Sequence, residues 1–210
     1  APALDAAASI DAMFVGGRNH SGNGSLYAEF PGDMSELVIW DRVLSSSEVE
    51  ALYQGGNPSN PLSLSGADAI AYYRLGDRWD KGTEPDLIGD KDISIAAGAP
   101  VPIEDVPWGT THSMEHDGSA DAWSSTGTST PTIDAFKDAF SVSYWINTVL
   151  QGGNRMHLWL TPPYDASADP YYTRMRLQVR HQGSDGKMKV RIGNDSSTYT
   201  ETTTNTSFAT

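Results

Sequence analysis

The chain has 210 residues, 38% of them hydrophobic, with 27 acidic against 14 basic side chains and a formal charge of −13. Cysteine is absent, which excludes disulfides and cysteinyl metal sites. The negative field repels nucleic acid, and no apolar run reaches the length of a membrane span.

Abundant Gly, Ser, Thr, Asn and Asp suit many short strands joined by polar turns. Met13 to Gly17 reads as a short strand ending in a turn, followed by a polar loop from Arg18 to Ser25. In Glu36-Leu37-Val38-Ile39-Trp40-Asp41, Leu37 and Ile39 share one face and Val38 and Trp40 the other. Apolar residues on both faces predict a central strand covered on both sides. A short helix over 46–54 follows, with Ser45 and Glu48 spaced as a capping box and Val49, Leu52 and Tyr53 as its apolar stripe. Gly55 supplies a left-handed stop, and Asn57-Pro58-Ser59-Asn60-Pro61 continues neither helix nor strand. Residues 58–68 therefore read as a linker.

A second β region opens at Ala69 to Leu75, and residues 76–92 form a loop dense in Asp and Gly. Phe140, Val142, Tyr144 and Ile146 alternate inward on one strand, and Met156 to Leu160 alternates likewise. Two further strands pair as a hairpin around Gly183 to Gly186. Met175, Leu177 and Val179, then Met188, Val190 and Ile192, make its buried face. Arg174, Arg176, Arg180, Lys187, Lys189 and Arg191 make its wet face. The tail from Ser196 to Thr210 fits either an edge strand or a loop.

The stretch Gly32-Asp33-Met34-Ser35-Glu36 to Leu44-Ser45, with Glu48-Val49 and Leu52-Tyr53, resembles the end of a concanavalin A-like (laminin G-like) jelly-roll domain. Tyr72-Tyr73-Arg74-Leu75-Gly76-Asp77, then His116-Asp117-Gly118-Ser119 and Phe140 to Ile146, resembles the opening of one. Asp105-Val106-Pro107 adds a likeness to repeats of marine tailed-phage structural proteins. The resemblance implies an all-β antiparallel sandwich with one short helix near 46–54. Residues 1–57 would be the C-terminal part of one sandwich, and 69–210 the N-terminal part of a second. Alternatively, one sandwich is completed by permuted or exchanged segments.

Such a fold implies a non-catalytic structural or adhesive module on a virion surface or outside the cell, with protein neighbours, including other copies, and glycans as partners. A free carbohydrate-binding module is the alternative, and a divergent glycoside hydrolase a remote one. The family implies structural Ca²⁺, with Asp77, Asp86, Asp90 and Asp117 as ligands, because carboxylates suit a hard cation. Asp in turns also bonds its own backbone. Trp79, Trp159, Tyr164, Tyr171 and Tyr172 are candidate sugar platforms; Trp159 alternates against Leu158 and Leu160 and so faces outward. The six basic hairpin residues are candidate contacts for an acidic neighbour or an anionic glycan. No closely spaced catalytic carboxylate pair is present; Asp33 and Glu36 would fall on opposite faces of a strand. The five histidines make no ligand pattern.

Overall fold

The computed structural model describes residues 12–19, 26–54, 60–65, 69–76, 82–98, 100–104, 112–118, 122–126, 140–148, 153–161, 177–182, 186–193 and 199–207. In chain order the elements begin with β1 (Ala12–Val15), β2 (Arg18–Asn19), β3 (Leu26–Tyr27), β4 (Pro31–Trp40), helix α1 (Ser46–Tyr53) and a helical turn, α2 (Leu62–Ser65). Then come β5 (Ala69–Tyr73), β6 (Thr83–Glu84), β7 (Ile93–Ala97), β8 (Val101–Ile103), β9 (Ser113–Asp117) and β10 (Ala122–Thr126). The last are β11 (Ser141–Thr148), β12 (Asn154–Thr161), β13 (Leu177–Gln182), β14 (Lys187–Gly193) and β15 (Tyr199–Ser207).

Among the described residues the chain is all-β apart from α1 and α2, and it belongs to the β-sandwich class. The large sheet runs β15-β14-β13-β12-β1-β10-β7-β6. The small sheet runs β11-β4-β9-β8, with β5 also paired to β4, and every pairing is antiparallel. Their inner faces share one apolar cluster that includes Met13, Val15, Leu37, Ile39, Met114, Leu158, Leu160, Leu177 and Val179.

Both sheets mix strands from either side of the 58–68 stretch. β1 lies between β10 and β12, and β4 between β11 and the pair β5 and β9. The stretch itself carries α2, a second short helical element beyond the one expected. The Thr-rich tail contributes β15, an edge strand.

β4 is covered on both faces, as its two-sided apolar pattern requires. Leu37 and Ile39 enter the main core, while Val38 and Trp40 join Leu44, Ala69 and Tyr72 on the outer side. Leu52 of α1 packs on that second cluster. Ser45 accepts from the Glu48 backbone and Glu48 returns a bond to the Ser45 backbone, so the capping box forms. Two helix expectations are corrected. The left-handed residue is Gln54, whose N–H closes on the Glu50 carbonyl; Gly55 lies outside the described residues. Val49 and Tyr53 are more than half exposed, so the stripe buries only its Leu52 side.

Candidate functional site: a cationic cluster on the outer face of the large sheet

Strand alternation builds this site. On β13, Leu177 and Val179 point into the core, so Gln178 and Arg180 point out. The register places Gln178 beside Arg191 of β14, and Arg191 beside Glu201 of β15. The next row runs Arg180, Lys189, Thr203. Glu201 gathers three cations: Arg191 through its Nε, Arg180 at 3.3 Å and Lys189 at 4.0 Å. The Arg191 guanidinium also lies over the Tyr199 ring, 4.6 Å from its centroid.

The face is drier than a solvated stripe. Arg180 is 7% exposed and Gln178 5%, which corrects the expectation that Arg180 lies on a wet surface. Burial, with repulsion from Arg191, lowers the Arg180 pKa, while Glu201 pulls it back up. For Glu201, burial raises the pKa, but the bonds from Arg191 and Arg180 outweigh it and hold the carboxyl below its ordinary value. Three cations around one carboxylate leave an excess of positive charge. The Arg180 Nε and the Gln178 Oε1 are buried without a hydrogen-bond partner. Lys187 stands at the far end of β14, and Arg174 and Arg176 lie outside the described residues.

Beside this cluster, Trp159 faces outward as its alternation requires, but it is 6% exposed. Phe14, Ala28 and Met156 pack with it, and the Arg18 guanidinium lies 5.4 Å from its ring centroid. Trp79, Tyr164, Tyr171 and Tyr172 lie outside the described residues. The structure instead pairs Tyr53 of α1 with Trp145 of β11, rings stacked at 12° with centroids 6.0 Å apart. They border a groove of about 400 Å³ lined also by Leu44, Val49, Leu52 and Ser143. A helix-stripe reading of Tyr53 hides this pairing, because Trp145 is 92 positions away along the chain.

Of the acidic candidates, Asp86 is buried and ties its loop. Its Oδ1 accepts from the backbone of Tyr72 at 3.0 Å and of Ile88 at 3.1 Å. Asp90 is exposed beside Lys91, Asp117 ends β9 at the surface, and Asp77 lies outside the described residues. Among the described residues no three His, Asp or Glu side chains are grouped to hold a metal ion.

The opposite-face expectation for Asp33 and Glu36 is corrected. Across β11, Trp145 faces Ser35 while Ser143 faces Val38, so β4 carries one extra residue there. Glu36 takes a left-handed φ of 56° at this bulge. The bulge resets the alternation before it and turns Met34 inward; Glu36 keeps the outer side of Val38 and Trp40, where it accepts from the Tyr72 hydroxyl at 2.5 Å and pairs with Arg74 at 3.8 Å. Asp33 lies further along the same outer face, bonded to Asn147.

Three of the histidines that show no pattern in sequence are buried together in space. The His116, His157 and His181 rings all meet the Phe30 ring edge-on. His157 Nε2 and His181 Nδ1 are 2.8 Å apart, and the Tyr144 hydroxyl is 3.1 Å from His157 Nδ1.

No protein-family model, curated protein or solved structure matches this chain. Among the described residues, no helix is long and apolar enough to cross a membrane.

Proposed function

We propose that this chain is a non-catalytic structural and adhesive module of laminin G-like jelly-roll type, displayed in a multi-copy assembly such as a virion surface. The observation that carries this reading is the convergence of Arg180, Lys189 and Arg191 on a single carboxylate in a chain of charge −13. A cationic patch on an acidic body selects an acidic partner and sets its orientation. Another copy supplies one. On the outer face of the small sheet, opposite the cluster, Asp33 stands beside Glu115 in register, with Asp117 two residues along β9. Joining the basic face of one copy to the acidic face of the next is a head-to-tail contact, which builds rings or filaments. Sedimentation of the purified chain between low and high salt tests this. Association should weaken with salt and vanish in Arg191→Glu; a monomer under all conditions overturns the reading.

The stacked pair of exposed Tyr53 and partly buried Trp145, beside its groove, favours a second reading, a carbohydrate-binding module. Stacking on flat rings is the usual way an aromatic surface holds a sugar face. A glycan array with no hit, or binding unchanged in Tyr53→Ala, overturns that alternative.

A further inference from the structure

The inner side of β11 meets the large sheet through a polar chain set inside an apolar joint. Val142, Tyr144 and Ile146 of β11 face Leu177, Val179, Met188, Val190 and Ile192 across a cleft of about 520 Å³. At one end of this cleft the Tyr144 hydroxyl bonds His157 of β12, which bonds His181 of β13. Both imidazoles are completely buried. A bulge between Met156 and Leu158 lets His157 turn inward next to Leu158, against the strand alternation.

The groups facing the pair come from every neighbouring element. β11 supplies Tyr144. β14 supplies the Met188 sulfur, 4.0 Å from the Tyr144 hydroxyl. The segment before β4 supplies the Phe30 ring, 4.7 Å from His157 and 6.0 Å from His181, with the His116 ring of β9 6.2 Å from it. Arg155 of β12 sits beside His181 in register and adds positive charge. Among the described residues, neither imidazole is paired with a carboxylate. The His181 Nε2 is buried with no hydrogen-bond partner.

We infer that the Tyr144–His157–His181 chain makes the joint between β11 and the large sheet acid-sensitive, so that proton uptake by the buried pair releases β11 and opens the sandwich at that edge. The first proton places a positive charge among Phe30, Met188 and Tyr144 with no anion beside it, and Arg155 adds to the repulsion. A second proton converts both rings to donors and removes the acceptor of the bond between them. β11 is the element released. Among the described residues it is the edge strand of the small sheet, held on one side by β4, and its inner residues are only partly buried. β12 and β13 are held on both sides within the large sheet.

The test is hydrogen exchange of the full 210-residue chain followed strand by strand from pH 7.5 to pH 5, corrected for intrinsic exchange. Protection at residues 141–148 should fall by up to about tenfold per pH unit for each proton taken up. Protection of β10 and β7 should stay above that of β11 at every pH in this range. The double variant His157→Gln/His181→Gln cannot charge and should flatten the dependence, while His116→Gln should leave it in place. A pH-independent β11 overturns the proposal. So does β11 protection no lower than that of β10 and β7 at any pH, or a dependence that survives the double variant or disappears with His116→Gln. Should the double variant fail to fold, imidazole titration by NMR in the unaltered chain decides. Protonation of His157 or His181 without loss of β11 protection is then the overturning result.

Discussion

Arg180 and Glu201 meet at 3.3 Å although β14 lies between their strands. The contact is diagonal: Arg180 stands in the row of Lys189, and Glu201 in the row of Arg191. One carboxylate thus offsets repulsion among three cations. Replacing Glu201 by Gln should destabilise the fold by about 1–3 kcal/mol, since buried charge loses its counter-ion. Replacing Arg180 by Met should change stability by less, because Glu201 keeps Arg191 and Lys189 and the Arg180–Arg191 repulsion is removed. Urea unfolding of the two variants checks the asymmetry, and added salt should restore part of the Glu201→Gln loss.

Gly16 is held at a φ of +81°, and a side-chain carbon there would lie 2.5 Å from His116 Cε1. Its N–H donates to the His157 carbonyl at 2.9 Å, and its carbonyl accepts from Phe30 at 2.8 Å. The residue cannot move aside without disturbing the histidine cluster. Gly16→Ala should cost about 1–3 kcal/mol through strain and overlap. The drop in thermal midpoint measures it.

The acid response of the whole fold has a definite sign. Burial, then the neighbouring His181, pushes His157 well below its ordinary 6.5; burial, then Arg155, pushes His181 down. Below pH 6.5 the unfolded chain therefore binds protons that the folded chain refuses. The contribution of the pair is fully present above that value and is lost as the pH falls beneath it, at up to about 1.4 kcal/mol per pH unit for each imidazole. Urea midpoints at pH 7.5, 6 and 5 should fall in that order.

Helix α1 has its own, lower window. Bonds from Arg42 and then Ser45 hold the Glu48 carboxyl down at about 2. A depressed carboxyl stabilises above its ordinary 4.5 and loses that contribution as pH falls toward 2. Tyr53 and Trp145 should unstack in that range, which Trp fluorescence reports. Ser45→Ala should cost about 1 kcal/mol and loosen the same contact at neutral pH.

Much of the local structure is legible along the chain. Leu37, Val38, Ile39 and Trp40 announce a strand buried on both faces, because a one-sided strand would alternate. Ser45 and Glu48 announce the helix start, because the capping box closes within four residues. The Gln178 and Arg180 positions are assigned to the outer face by the Leu177 and Val179 alternation. What is not legible is which strands adjoin. The order of the large sheet sets β1 between strands of much later sequence, and nothing in Met13 to Val15 names Trp123 or Leu158 as neighbours.

The sequence by itself determined the β-rich class, the two-sided β4, the capped helix and the basic character of the hairpin, since each follows from periodicity or from contacts a few residues apart. Only the tertiary structure decided that Glu201 would neutralise part of that basic face, that bulges would turn Met34 and His157 inward, and that three scattered histidines would share one dry site. An extra residue in one strand reverses every side chain beyond it. Its position depends on the partner strand, and that partner is chosen by packing across the whole sheet.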